Sequence, residues 1–148
     1  MSYLLAPFAL LLGVVLATQV ATNTELGKAL DNPYIPAVMN MMVGVVLTIA
    51  LTLFMTEKWP TGEAARNAPW YGWVAGGLLG TTYLTGAILL APKLGVAALI
   101  GLVVTGQLIF SVLLDHFGWF GFEQHAAGFA RIAGCLLMIG GVFLISKF

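Results

Sequence analysis

The chain has 148 residues, of which 60% are hydrophobic and only 8% are charged, and its formal net charge is zero. A soluble domain of this size needs charged groups on roughly a quarter of its residues, so the composition excludes that class, and the balanced charge gives no sign of a nucleic acid partner. The apolar residues stand in blocks long enough to cross a bilayer, which takes about 20 residues of helix.

Five such blocks predict an all-α integral membrane protein with five transmembrane helices, because backbone polar groups in lipid must be hydrogen-bonded internally. The predicted spans, which form one transmembrane domain over residues 1–148, are residues 4–22, 35–55, 70–91, 96–114 and 129–147. Helical spacing continues past the first span until Asp31, Asn32 and Pro33 end the helix. No basic residue precedes Leu4, so we interpret the first block as a retained helix and not as a cleaved signal peptide.

Polar and aromatic segments separate the spans. A polar turn covers residues 57–62, and residues 115–122 are too short and too interrupted to cross the membrane. Trp59, Trp70 and Trp73 are predicted to lie at the headgroup boundary, where amphipathic rings are enriched. Because five spans alternate in direction, these tryptophans and residues 115–122 are expected on the same side of the membrane.

Lysine and arginine normally accumulate in cytoplasmic loops and so set the orientation. If the N-terminal side is side A, then side A has Lys58, Arg66 and Arg131, and side B has Lys28, Lys93 and Lys147. This balance leaves two interpretations: one dominant loop or helix hydrophobicity sets the orientation, or copies insert both ways and pair as an antiparallel dimer. The odd number of spans favours dual topology, because many transporters consist of two inverted repeats with a site at the midplane.

A series of short motifs runs through the chain in a fixed order. They are Gln19-x3-Asn23-x2-Leu26, Asn32-Pro33, Trp70-x5-Gly76-Gly77-x2-Gly80, Pro92-x-Leu94-Gly95, Gly106-Gln107-Leu108, Asp115-His116-Phe117-Gly118, Arg131-Ile132-x-Gly134 and Gly140-Gly141-Val142. Together they resemble the small, single-repeat YdcZ-like family (a former domain of unknown function) of the drug/metabolite transporter superfamily. The resemblance implies a five-helix half repeat in the bacterial inner membrane and a ten-helix antiparallel homodimer as the transport unit. It implies no substrate.

The chain departs from the small multidrug resistance exporters, which are similar in plan and have a carboxylate deep in the first helix. From Leu4 to Thr22 the only strongly polar side chain is Gln19. This difference argues against proton-coupled export of cationic drugs.

Uncharged polar residues provide the candidate site, since intramembrane ionisable residues, the usual functional markers, are almost absent. Gln107, Ser111 and Asp115 recur every fourth residue and so share one face of the fourth span. Gln107 lies near the bilayer centre, where a carboxamide needs partners, so we interpret it as functional. The predicted substrate-binding residues, which would offer hydrogen bonds and one aromatic ring, are Gln107, Ser111, Thr81, Tyr83, Gln19, Asn23 and Asn40.

Two further roles are predicted near the ends of the last two spans. Asp115 lies at a helix C-terminus, where its negative charge is unfavourable next to the helix macrodipole, so it needs a partner. Arg131 can be this partner, in an ion pair or a coupling site. The alternative is that Asp115 is a solvated carboxylate at the membrane interface. Ala130, Gly134 and Gly141 predict a dimer interface, because small residues let membrane helices approach closely. Elsewhere, stripes of glycine and threonine are interpreted as packing.

No catalytic motif, cofactor or metal site is predicted. Asp115, His116, Glu123 and His125 match no ligand spacing and are typical of a wet interfacial loop, and the single Cys135 is interpreted as a small buried hydrophobe. The predicted function is therefore membrane transport of small molecules. The alternatives are a dual-topology channel, in which the same polar residues line a path for ions or small solutes, and a non-transporting membrane subunit.

Overall fold

A computed structural model describes residues 2–55 and 61–147, and 87% of these described residues are helical, with no strand among them. The helices of these residues are α1 (Ser2–Ala29), α2 (Tyr34–Met55), α3 (Gly62–Asn67), α4 (Gly72–Leu94), α5 (Val96–Phe117) and α6 (Phe129–Lys147). A short 3-10 turn, Trp119–Gly121, follows α5.

Within the described residues, every helix except α3 is long and apolar enough to cross a membrane. The apolar side chains of these helices are largely exposed in the single chain; Leu10 is 76% exposed and Leu137 is 77% exposed. Such a continuous apolar surface is unfavourable in water. In a membrane it contacts the hydrocarbon of the lipids. The predicted all-α membrane protein with five spanning helices is therefore confirmed.

The corner between α1 and α2 is built by local hydrogen bonds. The Asn32 backbone N–H donates to the Gly27 carbonyl at 3.0 Å, and Asp31 adopts a left-handed conformation with φ of 48°. The Asn32 side-chain oxygen then accepts from the Tyr34 N–H at 2.9 Å. These bonds satisfy groups that the end of a helix leaves unpaired. The helix α1 thus continues to Ala29 and ends just before Asp31, Asn32 and Pro33, as the helical spacing predicted.

The short helix α3 was not predicted. The Thr61 hydroxyl accepts from the Ala64 N–H at 3.2 Å and so caps its N-terminus. Glu63 in its first turn and Arg66 in its last turn complement the helix dipole. Most of the predicted polar turn, with Lys58 and Trp59, lies outside the described residues.

The chain divides into two compact units, Met1–Ala91 and Pro92–Phe148, and each is described by itself. In the first unit, α1, α2 and α4 pack around the buried residues Val20, Ala37, Leu84 and Ile88. Gly27 is buried against this core, where a Cβ atom would make ordinary van der Waals contacts, at 3.5 to 3.6 Å, with atoms of the corner and of Ile88.

In the second unit, α5 packs along α6. The two helices approach closely at Gly101, where a Cβ atom would lie only 2.9 Å from a methyl group of Val142. Glycine is therefore required for this distance between the helices. At its end, α5 continues past the predicted residue 114 to Phe117, and Gly118 stops it in the left-handed conformation, with φ of 63°.

Candidate functional site

Three carboxamides meet between α1 and α2 in the first unit. Gln19 Nε2 donates to Asn40 Oδ1 at 3.1 Å, and Asn23 Nδ2 approaches the same oxygen at 3.5 Å. Gln19 and Asn23 are four residues apart and so lie on one face of α1. Among the described contacts, Gln19 Oε1, Asn23 Oδ1 and Asn40 Nδ2 are left without partners, so the cluster can still accept and donate hydrogen bonds.

Thr81 and Tyr83 lie on α4 of the same unit. Thr81 is exposed and Tyr83 is half-buried. The Tyr83 hydroxyl oxygen is buried without a hydrogen-bond partner among the described residues. A buried polar group in that condition costs about 1–3 kcal/mol, a cost that a bound polar molecule would offset.

Gln107 lies on α5 in the second unit, eleven residues after the first residue of that helix. At 1.5 Å per residue this is about 16 Å along the helix, close to the middle of a ~30 Å hydrocarbon core. The side chain is exposed, and no hydrogen bond reaches it from the described part of the chain. An unpaired carboxamide facing lipid is costly, so this position needs protein, ligand or water against it.

Asp115 and Arg131 form a salt bridge between the end of α5 and the start of α6. Arg131 Nη1 lies 3.0 Å from Asp115 Oδ2, and the two side chains are 39% and 36% exposed respectively. The pair borders a cleft of about 430 Å³, named here the ion-pair cleft. Its lining residues are Leu108, Ser111, Val112, Asp115, Arg131, Gly134, Cys135 and Met138.

The connection between α5 and α6 folds back onto the end of α5. The His125 N–H donates to the Asp115 carbonyl at 2.8 Å, and Gln124 Nε2 donates to the His116 carbonyl at 2.9 Å. The Ala127 N–H donates to His116 Nδ1 at 3.2 Å, so that nitrogen acts as an acceptor. These bonds satisfy the last carbonyls of α5 and hold the loop beside the salt bridge. No three His, Cys, Asp or Glu residues of the described ranges are placed to hold a metal ion.

A second groove of about 380 Å³ adjoins the ion-pair cleft, with which it shares Gly134 and Met138. It is lined by Gly101, Gly134, Leu137, Met138, Gly141, Val142 and Ile145. A Cβ atom on Gly134 or Gly141 would meet nothing within 4 Å among the described atoms, and Ala130 is exposed. The predicted dimer residues therefore lie on an open face of α6.

Residues 4–144 match a family model whose description is "Putative inner membrane exporter, YdcZ". The chain belongs to the YdcZ family. The match extends over nearly the whole sequence, so it confirms the resemblance drawn from the motifs, and with the apolar helices it makes the protein a multi-pass protein of the inner membrane. No curated protein and no solved structure matches the chain.

Sequence reasoning about this YdcZ-family chain missed most of the ion-pair cleft. Leu108, Val112, Cys135 and Met138 line it, although each is indistinguishable by type from a lipid-facing residue. The available signal was their spacing of three, four and seven residues from Asp115 or Arg131 on two helices joined by a short connection. Cys135 is half-buried and open to the cleft, and not fully buried as interpreted.

Thr105 of α5 was also missed. It is 7% exposed, its hydroxyl has no partner among the described residues, and it borders a small apolar cleft of about 240 Å³ between α5 and α6. A threonine inside an apolar run gives no sequence signal that its hydroxyl lacks a backbone acceptor.

Proposed function

We propose that this YdcZ-family chain transports small molecules across the inner membrane as an antiparallel homodimer, with Gln107 of each copy at a shared midplane site. Membership of a family described as exporters supports transport. The observation that carries the site is the exposed carboxamide of Gln107 at mid-depth in α5, which has no hydrogen-bond partner among the described residues. In lipid such a group is unfavourable, whereas in a water-filled cavity between two copies it is solvated and able to bind.

The antiparallel arrangement is supported by charge and by shape. The six Lys and Arg residues divide equally between the two sides of the membrane, so neither orientation is favoured. The face of α6 with Ala130, Gly134 and Gly141 is open, as a helix–helix contact requires. A two-fold axis in the membrane plane would bring both Gln107 side chains to similar depth, as in transporters built from inverted repeats.

The other polar residues would surround a substrate with uncharged hydrogen-bonding groups. Gln19, Asn23 and Asn40 would donate and accept through their amides, and Ser111 and Thr81 through their hydroxyls. Tyr83 would contribute its buried hydroxyl and an apolar ring. The salt bridge to Arg131 supports an ion-pair role for Asp115, so in this proposal substrate recognition does not depend on a free carboxylate.

A ligand screen followed by flux measurement tests the proposal. Compounds that raise the Tm of the purified protein bind its folded state in proportion to occupancy, and each would then be followed into proteoliposomes. Flux that saturates with concentration at modest turnover is the expected result. Electrical current through the same membranes would indicate a channel instead, and neither flux nor current would indicate a subunit of a larger assembly.

A further inference from the structure

We expect the Asp115–Arg131 salt bridge at the level of the lipid headgroups, because it joins the ends of two spanning helices. Asp115 is two residues before the end of α5, and Arg131 is two residues after the start of α6. The rings of Phe117 and Trp119 stack beside it with centroids 5.1 Å apart, and such aromatic residues are typical of the membrane–water boundary. The pair therefore meets lipid headgroups and not hydrocarbon.

The salt bridge leaves much of its bonding capacity unused. One guanidinium nitrogen contacts one carboxylate oxygen at 3.0 Å, and the same nitrogen lies 3.5 Å from the His125 carbonyl. A guanidinium has five N–H donors, and a carboxylate has about four acceptor sites. Both side chains are more than a third exposed. A molecule with an anion and a cation close together can therefore bind Arg131 and Asp115 simultaneously.

Away from the charges, the ion-pair cleft is mostly apolar and follows α5 and α6 toward their middles. It extends from Asp115 back to Leu108 on α5 and from Arg131 forward to Met138 on α6. Seven residues of helix measure about 10 Å, which is less than the ~15 Å thickness of one leaflet. Gly134 has no side chain to occupy the cleft, and the remaining lining is mostly aliphatic or sulfur-containing. The cleft thus continues from headgroup level into the hydrocarbon of the same leaflet.

We propose that the ion-pair cleft binds a phospholipid with a phosphoethanolamine headgroup. The phosphate oxygens accept hydrogen bonds from Arg131, the primary ammonium donates to Asp115, and an acyl chain lies along Leu108, Val112 and Met138. Hydrogen bonds between charged groups are stronger than those between neutral groups. A phosphocholine headgroup has the same charges but no N–H donor, and a phosphoglycerol headgroup has no cation for Asp115. The inference concerns lipid binding, and its test reads out bound lipid and not transport, although the cleft shares Ser111 and Gly134 with the proposed substrate site and dimer face.

Competition among lipids on the unmodified protein tests this proposal. Purified protein is mixed with equal amounts of phosphatidylethanolamine, phosphatidylcholine and phosphatidylglycerol of identical acyl chains, and the bound lipid is identified by native mass spectrometry. Retention of phosphatidylethanolamine about tenfold above the other two is expected from one or two additional charge-assisted bonds. Equal retention of all three lipids overturns the proposal. Displacement of the lipid by an equal concentration of soluble phosphoethanolamine overturns the part assigned to the acyl chain.

Variants then locate the bound lipid. Asp115→Asn and Arg131→Gln should each remove the preference for phosphatidylethanolamine, and Val112→Phe should reduce all three lipids by filling the cleft. Glu63→Gln and Arg66→Gln on α3 are matched controls, since they remove a carboxylate and a guanidinium that do not line the cleft, and they should retain the preference. The same spectra report folded protein and oligomeric state. An unchanged preference in both Asp115→Asn and Arg131→Gln would exclude this site.

Discussion

The carboxamides are the most informative side chains of this chain, and Gln107 is the one at mid-depth without a partner in the described residues. We predict that Gln107→Leu folds normally, because it keeps a similar volume and removes a polar group from an exposed helix face. Ligand binding should weaken by roughly 2- to 10-fold, which corresponds to the loss of one neutral hydrogen bond of about 0.5–1.5 kcal/mol. The measurement is the ligand-induced rise in Tm of the purified variant. Thr82→Val on α4 is the control, because that hydroxyl already donates within its own helix, to the Leu78 carbonyl.

Asp115→Asn tests the opposite view, in which a titrating carboxylate couples transport to protons. Asp115 is bonded to Arg131, so we expect this variant to retain both ligand binding and the pH dependence of transport. If Asp115→Asn abolished binding and pH dependence together while Gln107→Leu still bound ligand, the site would lie at the end of α5. The midplane assignment would then be wrong.

Asn40 holds the amide cluster together, since its side-chain oxygen accepts from both Gln19 and Asn23. We predict that Asn40→Leu lowers the free energy of unfolding by about 1–3 kcal/mol, because it leaves two half-buried donors unpaired. Thermal unfolding in detergent measures the change. Thr48→Val, on the same helix, should have little effect, since its hydroxyl bonds only to the Gly44 carbonyl of α2. Equal stability of the two variants would contradict a structural role for the cluster.

At the scale of single helices, the contact between α5 and α6 depends on one glycine. Gly101→Ala places a methyl group 2.9 Å from Val142, which should destabilise the protein by about 1–3 kcal/mol through overpacking. Gly106→Ala on the same helix meets open space and should be neutral or slightly stabilising, because alanine favours helix over glycine.

A double-mutant cycle separates this contact from a general effect of the substitution. Val142→Ala removes the methyl groups nearest to Gly101, so Gly101→Ala/Val142→Ala should be less destabilised than the sum of the two single variants. Thermal unfolding of the four proteins gives the coupling energy. Strict additivity would show that α5 and α6 adjust their spacing freely.

The helices were predictable from sequence because the length and polarity of an apolar block are local properties. Their ends were less uniformly predictable. The end of α1 follows from helical spacing that stops before Asp31, Asn32 and Pro33, whereas α5 extends past the predicted span to Phe117 because Gly118 supplies a conformation that hydropathy does not detect. The short helix α3 was missed although Thr61 followed by Glu63 is a recognisable N-terminal signal.

The candidate site also depends partly on local sequence properties, which could be predicted, and partly on contacts between helices, which could not. Gln19, Asn23 and Asn40 could be grouped by estimating their depth along neighbouring spans, and the structure brings them within hydrogen-bonding distance. The apolar lining of the ion-pair cleft could not be recognised in this way. Whether a leucine or methionine faces lipid or a cleft depends on the rotation of α5 against α6, which here depends on the close contact at Gly101.

For the whole molecule, the open face of α6 makes a specific prediction about assembly. Gly141→Leu or Gly134→Leu should weaken the homodimer, because each places a bulky side chain on the face of small residues. Light scattering of the purified protein in detergent measures the oligomeric state. Gly140→Leu is the matched control, because Gly140 is the neighbouring glycine and lies outside the groove lined by Gly134 and Gly141. A fully active monomer would contradict the dimer.

The proposal of dual topology rests on the predicted equal division of six basic residues between the two sides of the membrane. We predict that a cysteine introduced by Glu123→Cys in a Cys135→Ala background is labelled by an impermeant reagent in only part of the population in intact cells. Adding two or three lysines at one end should favour one orientation and reduce function, because basic residues stay on the cytoplasmic side. Two variants biased in opposite directions should restore function when they are expressed together, since each supplies the orientation that the other lacks. Complete labelling or complete protection of the unbiased protein would show a single orientation and exclude the antiparallel dimer.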